Sequence, residues 1–155
     1  MAINYTTLKT ELLTDPNGYG LTALFANGAD NQIPAILNLV RDGTNGGPAI
    51  TVKRADINAN EILEAIDIRD IPSSIVQQQM SWFESATQAV QPLRLLNEDG
   101  TDTRVLANFK RILTNVQNSQ TRLVTASQRN GSRAEQLFGT NTFITTDDIA
   151  KARAA

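Results

Sequence analysis

Apolar residues recur along most of the chain at three- and four-residue steps, with one short stretch of alternation. That pattern predicts a mostly α fold, a small helical bundle with long polar loops and one short extended segment. Tyr5, Leu8, Leu12 and Leu13 mark a first helix over 5–13. Thr14-Asp15-Pro16-Asn17-Gly18 stops it, because Pro cannot continue a helix and Asn-Gly favours a turn. Leu21, Leu24 and Phe25 begin a second helical pattern that Asn27-Gly28 interrupts. Ile33, Ile36, Leu37 and Val40 place a third helix over 30–40, with Asp30 as its cap and Pro34 in its first turn. Residues 49–53 alternate weakly and predict the extended piece, an edge suited to pairing with a neighbour.

The clearest local signal lies at 58–67, where Asn58 and Glu61 form a capping box and Ile57 and Ile62 a hydrophobic staple. A longer helix is predicted from Pro72 to Val90, with Ile75, Val76, Met80, Phe83 and Ala86 or Ala89 on its apolar face and Trp82 beside it. After Pro92 and a turn at 97–102, Val105, Leu106, Phe109, Ile112 and Leu113 define a strong helix from Asp102 to about Asn115. Residues 115–120 form helices poorly and predict a break or kink before a helix over 119–129. Ser132 with Glu135, and Thr145 with Asp148, cap two further helices, the first ended by Gly139; 141–144 is read as a brief extended piece. No repeat and no shift of composition marks a boundary, so 1–155 reads as a single helical domain.

Composition narrows the chemistry. With no Cys and no His, thiolate chemistry, His-based triads, most zinc sites and the usual general base near neutral pH are excluded. The reading is therefore of a protein that is not an enzyme and carries no cofactor or metal. No secretory signal and no membrane-spanning run is visible, so no membrane partner is expected. Asn, Gln, Ser and Thr total 48, an uncharged polar surplus suited to surfaces that become buried in an assembly, or to an ordinary polar surface.

Two loops imitate ligand sites. Residues 41–48, Arg-Asp-Gly-Thr-Asn-Gly-Gly-Pro, are glycine-rich and the most flexible stretch by composition, but they lack the Gly-Lys-Ser/Thr that opens a phosphate-binding helix. The acidic turn at 97–102 has no distal Glu to close a calcium loop and reads better as a capping turn. Glu61, Glu64, Asp67 and Asp70 cluster in sequence, yet without His they do not make a dinuclear metal site, and a solvated face is the simpler reading.

Charge order is more informative. Residues 55–102 hold nine acids and two bases, whereas 103–134 hold six bases and no acid. Arg104, Arg111, Arg122 and Arg129 fall at helical steps on a polar face. Three arrangements use this split: mutual neutralisation within one chain, a head-to-tail oligomer in which the basic face meets a neighbour's Glu61, Glu64, Asp67 and Asp70, or contact with nucleic acid.

The opening Leu8-Lys9-Thr10-Glu11-Leu12 with Asp15-Pro16 and Gly18-Tyr19-Gly20 resembles the start of a family of small tailed-bacteriophage virion proteins. Asn60 to Ile66, Gly131 to Gly139 and Asp147 to Ala152 are similar to its middle, late and terminal blocks. The resemblance covers nearly the whole chain, through capping and packing residues. In size and class it points to head-to-tail adaptors of the neck, small α-bundles that form a ring beneath the portal with arms inserted between subunits. It implies a connector subunit assembled in the host cytoplasm and resident in the virion neck. Its partners would be other copies of itself, portal, and tail or head-closure proteins, with genomic DNA only passing through the lumen. The arms would be 42–52, including Gly43, Gly46, Gly47, Ile50 and Val52, and the C-terminal docking segment 140–155, which is short for an adaptor. The alternatives are a tail terminator, a capsid-associated factor, or a small DNA-binding regulator.

Overall fold

In the computed structural model, which describes residues 3–54, 56–97, 100–113 and 117–155, the chain is mostly helical. Its elements run α1 (Tyr5–Thr14), α2 (Leu21–Ala26), α3 (Ile33–Leu37), β1 (Val40–Arg41), β2 (Thr51–Lys53), α4 (Ala59–Ala65), a 3-10 turn (Ile68–Asp70), α5 (Gln77–Thr87), α6 (Arg104–Ile112), α7 (Gln117–Ala126), β3 (Gln128–Ser132), α8 (Arg133–Phe138) and α9 (Thr146–Ala154). The residues group into two units, Met1–Val52 with Asn130–Ala155, and Lys53–Arg129. Each unit has its own hydrophobic cluster.

In the first unit, Leu8 and Leu12 of α1, Leu21, Ile33, Phe138 and Ile149 are buried together. Asp15 organises the entry to α2. Its carboxylate accepts the N–H groups of Tyr19, Gly20 and Leu21 at 2.9, 2.7 and 3.0 Å, which satisfies the open end of a helix that has no cap residue of its own. Asp15 thus caps α2 from five residues before its N-cap, Gly20. Segment 140–155, the expected docking arm, is part of this core: Ile144, Ile149 and Ala152 are fully buried, and Tyr5 donates a hydrogen bond to Asp148 at 3.1 Å.

The strands form one sheet in the order β1-β3-β2. Val40 pairs with Ser132 and Arg41 with Gly131, antiparallel, and the Gly131 N–H donates to the Ile50 carbonyl at 2.8 Å. The predicted edge at 49–53 therefore pairs within its own chain. At Gly131 a Cβ would lie 2.5 Å from both methyls of Val52, so only glycine fits. Gly131→Ala is expected to cost about 1–3 kcal/mol through overpacking, and adding Val52→Ala should make the double variant less destabilised than the sum of the singles. Urea-unfolding midpoints check this.

In the second unit, Ile57, Ile62, Leu95, Leu106, Phe109 and Leu113 are buried together. Phe109 is met edge-on by Trp82 and Phe83, with ring centroids 5.1 and 5.7 Å away. Trp82 thus packs against the core. Asn58 and Glu61 form the expected capping box, and Ile57 and Ile62 of the staple are both buried.

Several boundaries differ from expectation, each for a local reason. α3 ends at Leu37 because the Asn38 side chain donates to the Ile144 carbonyl at 2.7 Å and accepts its N–H at 2.9 Å. The same tie holds the stretch read as extended, which forms no strand. Asp30 does not cap α3; it pairs with Arg153. α5 starts at Gln77 rather than Pro72, because 72–75 close a turn through the Ile75 N–H and the Pro72 carbonyl, 3.0 Å apart. Thr103 caps α6, which leaves Asp102 for an ion pair with Lys110 at 2.8 Å. Of the predicted break or kink at 115–120, residues 115 and 116 lie outside the described residues and 117–120 are already helical. The helix expected to reach 129 stops at Ala126, and 128–132 become β3.

Candidate interaction faces

Four carboxylates and four arginines were expected to form opposing charged faces, and the structure uses several of them internally. Glu61 closes its capping box and also pairs with Arg54, whose Nη2 lies 3.1 Å from Oε2. The Arg54 hydrogen bond, helped by the Asn58 N–H, holds the Glu61 carboxyl below its usual value. Asp67 accepts Arg69 Nε at 3.0 Å; the Arg69 side chain, then its backbone N–H, pull that carboxyl down to about 2. Asp70 accepts the Ser119 hydroxyl and lies 3.5 Å from Arg122 Nη2. Arg122 is also anchored by the Ala65 carbonyl at 2.9 Å and Ser119 Oγ at 3.0 Å. Arg129 sits on β3, half-buried and engaged, so it does not continue a helical stripe with Arg122. Mutual neutralisation within the chain therefore accounts for part of the charge split, through Arg122–Asp70 and Lys110–Asp102.

Three of the eight remain outward and without an ion-pair partner among the described residues: Arg104 and Arg111 on α6, and Glu64 on α4. Arg104, Ala107 and Arg111 share the exposed stripe of α6 opposite Leu106, Phe109 and Ile112. Glu64 lines an open groove of about 330 Å³ with Arg54, Glu61, Arg122 and Thr125. Among the described residues no group of three or more acidic side chains is placed to hold a metal, and no helix is long and apolar enough to cross a membrane.

The candidate arm 42–52 is anchored at both ends. Ile50 and Val52 are buried, and the exposed glycines 43, 46 and 47 follow a fully buried Arg41. Its guanidinium lies 3.8 Å over the Tyr19 ring and donates to the Ile36 carbonyl at 3.1 Å and to the carbonyl of Gly46 within the loop. A buried cation with no carboxylate partner among the described residues is tolerated here because backbone carbonyls and an aromatic face replace water. Sequence reasoning missed both Arg41 and Arg54. Arg41 looks like a loop boundary, and Arg54 lies outside α4, so no helical spacing links it to Glu61.

These carboxylates set a pH profile. Burial raises the Asp148 carboxyl, but hydrogen bonds from the Thr145 hydroxyl, the Thr145 N–H and Tyr5 outweigh it and leave it lowered. Asp67, Glu61 and Asp148 all sit lower in the folded chain, so the unfolded chain binds more protons as pH falls. Their contribution is complete above the ordinary values of 3.8 and 4.5 and is lost as pH falls through their folded values, about 2 for Asp67. With no His or Cys, no side chain has an ordinary value between that range and about 10. The urea midpoint is expected to stay flat between about pH 5.5 and 9 and to fall steadily in acid.

Compared with known proteins, the chain matches no protein-family description, no curated protein and no solved structure.

Proposed function

We propose that this chain is a structural subunit of a bacteriophage head-to-tail connector ring, lying between portal and tail in the virion neck. One observation carries the reading. The first, late and terminal blocks that resemble small phage virion proteins meet in one core, through Leu8, Leu12, Ala134, Phe138, Ile149 and Ala152. The polar residues of those blocks serve as caps and internal ion pairs: Asp15 at α2, Ser132 at α8, and Glu11 with Arg133. Such a chain acts by presenting surfaces, with other copies, portal, and tail or head-closure proteins as its neighbours and the genome passing through the lumen.

The test is quantitative mass spectrometry of purified virions against the major capsid protein. About a dozen copies supports a closed neck ring. Hundreds would make it a capsid or tail-tube component, and absence from virions would overturn the reading. A second reading, a DNA-binding regulator, draws on the exposed Arg104–Arg111 stripe. With Arg122 engaged by Asp70 and Arg129 on β3, two of the four arginines expected on that face remain for phosphates, and contact through them alone predicts a salt slope of only about −2.

A further inference from the structure

The second unit holds nine bases and nine acids, so it has no net charge to draw a polyanion; among its described residues outside any ion pair, Glu64 lies on α4 and Glu84 on α5, Arg104 and Arg111 on α6, and Asp56 and Arg94 outside the helices. In the groove that Glu64 lines, Arg54 is committed to Glu61, and Arg122 to Asp70, Ser119 and the Ala65 carbonyl. One carboxylate, Glu64, is left over. On α6, Arg111 sits in the last turn, where a cation favours its own helix. Arg104 occupies the first helical position, where the helix dipole opposes a cation, and no carboxylate among the described residues compensates it. Its planar fork suits a lone carboxylate bidentately. Beside these charges lie small apolar surfaces, the exposed Leu63 next to Glu64 and Ala107 between the two arginines.

We infer that Arg104 on α6 of one copy docks in the groove of a second copy against Glu64, with Leu63 and Ala107 at the contact. Such an interface is heterologous: each copy offers one guest arginine and one host groove, so the contact propagates and closes where the rotation permits. The inference rests on the connector reading and supplies the subunit contact it requires.

The experiment is sedimentation velocity of the full chain at low and high salt, with Arg104→Glu, Glu64→Arg, and an equimolar mixture of the two variants. Wild type should self-associate, more strongly at about 50 mM than at about 500 mM salt. Each single variant should weaken association at least about tenfold, and the mixture should regain wild-type association within about threefold, because both alternating contacts are again of opposite charge. Circular dichroism and Trp82 fluorescence establish that each variant is folded. Variants that assemble like wild type would overturn the inference while leaving a ring by another contact standing. A wild-type chain that stays monomeric to about 0.5 mM would overturn the self-contact itself, whatever the virion count shows. Duplex binding lost in Arg104→Glu, without self-association, would assign the face to a polyanion and overturn the inference.

Discussion

Arg133→Met is expected to lower the stability of the chain by about 3–5 kcal/mol, because it leaves the buried Glu11 carboxylate without its counter-ion. Glu11 is 5% exposed and the Arg133 side chain 14%, and the two meet through paired 2.7 Å contacts from Nε and Nη2. Residue 11 lies on α1 and residue 133 opens α8, so this bond ties two distant segments of one unit. The cost comes from the charge left behind rather than from the bond alone. The double variant Glu11→Leu/Arg133→Met should therefore recover most of the loss, since a buried ion pair replaced by apolar groups is often near neutral. Thermal denaturation distinguishes the two cases: for a chain of this length about 2–4 °C is lost per kcal/mol, so the single variant should melt roughly 6–20 °C below wild type. A single variant within about 2 °C of wild type would show that water reaches Glu11 in the folded chain.

Phe109→Ala should have an effect of similar size in the other unit. Phe109 is fully buried at the centre of that core and is the ring that both Trp82 and Phe83 strike edge-on. Truncating a buried Phe to Ala costs about 3–5 kcal/mol, and the loss of both edge-on ring pairs places this site toward the upper end. Trp82, the chain's single tryptophan, reports directly on this cavity, so its emission should shift in the folded variant before unfolding begins. Phe109→Leu keeps much of the volume and should lose clearly less. Because Glu11–Arg133 and Phe109 belong to different cores, the two substitutions lie in different units. Whether denaturation separates into two transitions in either variant measures how cooperatively those units unfold.

The helices were legible wherever a local rule acts over three or four residues. The capping boxes at Asn58, Ser132 and Thr145 form as read, because a cap and its partner are three positions apart and need nothing beyond that turn. The amphipathic stripe of α6 was equally plain, with Leu106, Phe109 and Ile112 buried and Arg104 and Arg111 outward. Boundaries failed where a distant group decided them. Asn38 ends α3 by bonding Ile144, and Asp30 is drawn from its expected cap to Arg153. The sheet was missed for the same reason, since β1 and β2 are short segments given their partner by β3, nearly eighty residues or more downstream.

The charged faces divide the same way. From its pattern and composition alone, the chain specifies a mostly helical protein without thiol or imidazole chemistry and with a strong acid-to-base order along its length. Only the tertiary structure decides which of those charges are still available. Asp70 reaches Arg122 across about fifty residues, and Glu61 pairs with Arg54 seven positions before it, leaving Glu64, Arg104 and Arg111 of the eight expected residues outward. Helical periodicity is set by bonds between near neighbours, and so it is written in local sequence. Neutralisation depends on which side chains approach within about 4 Å, a distance that the folding of the whole unit fixes.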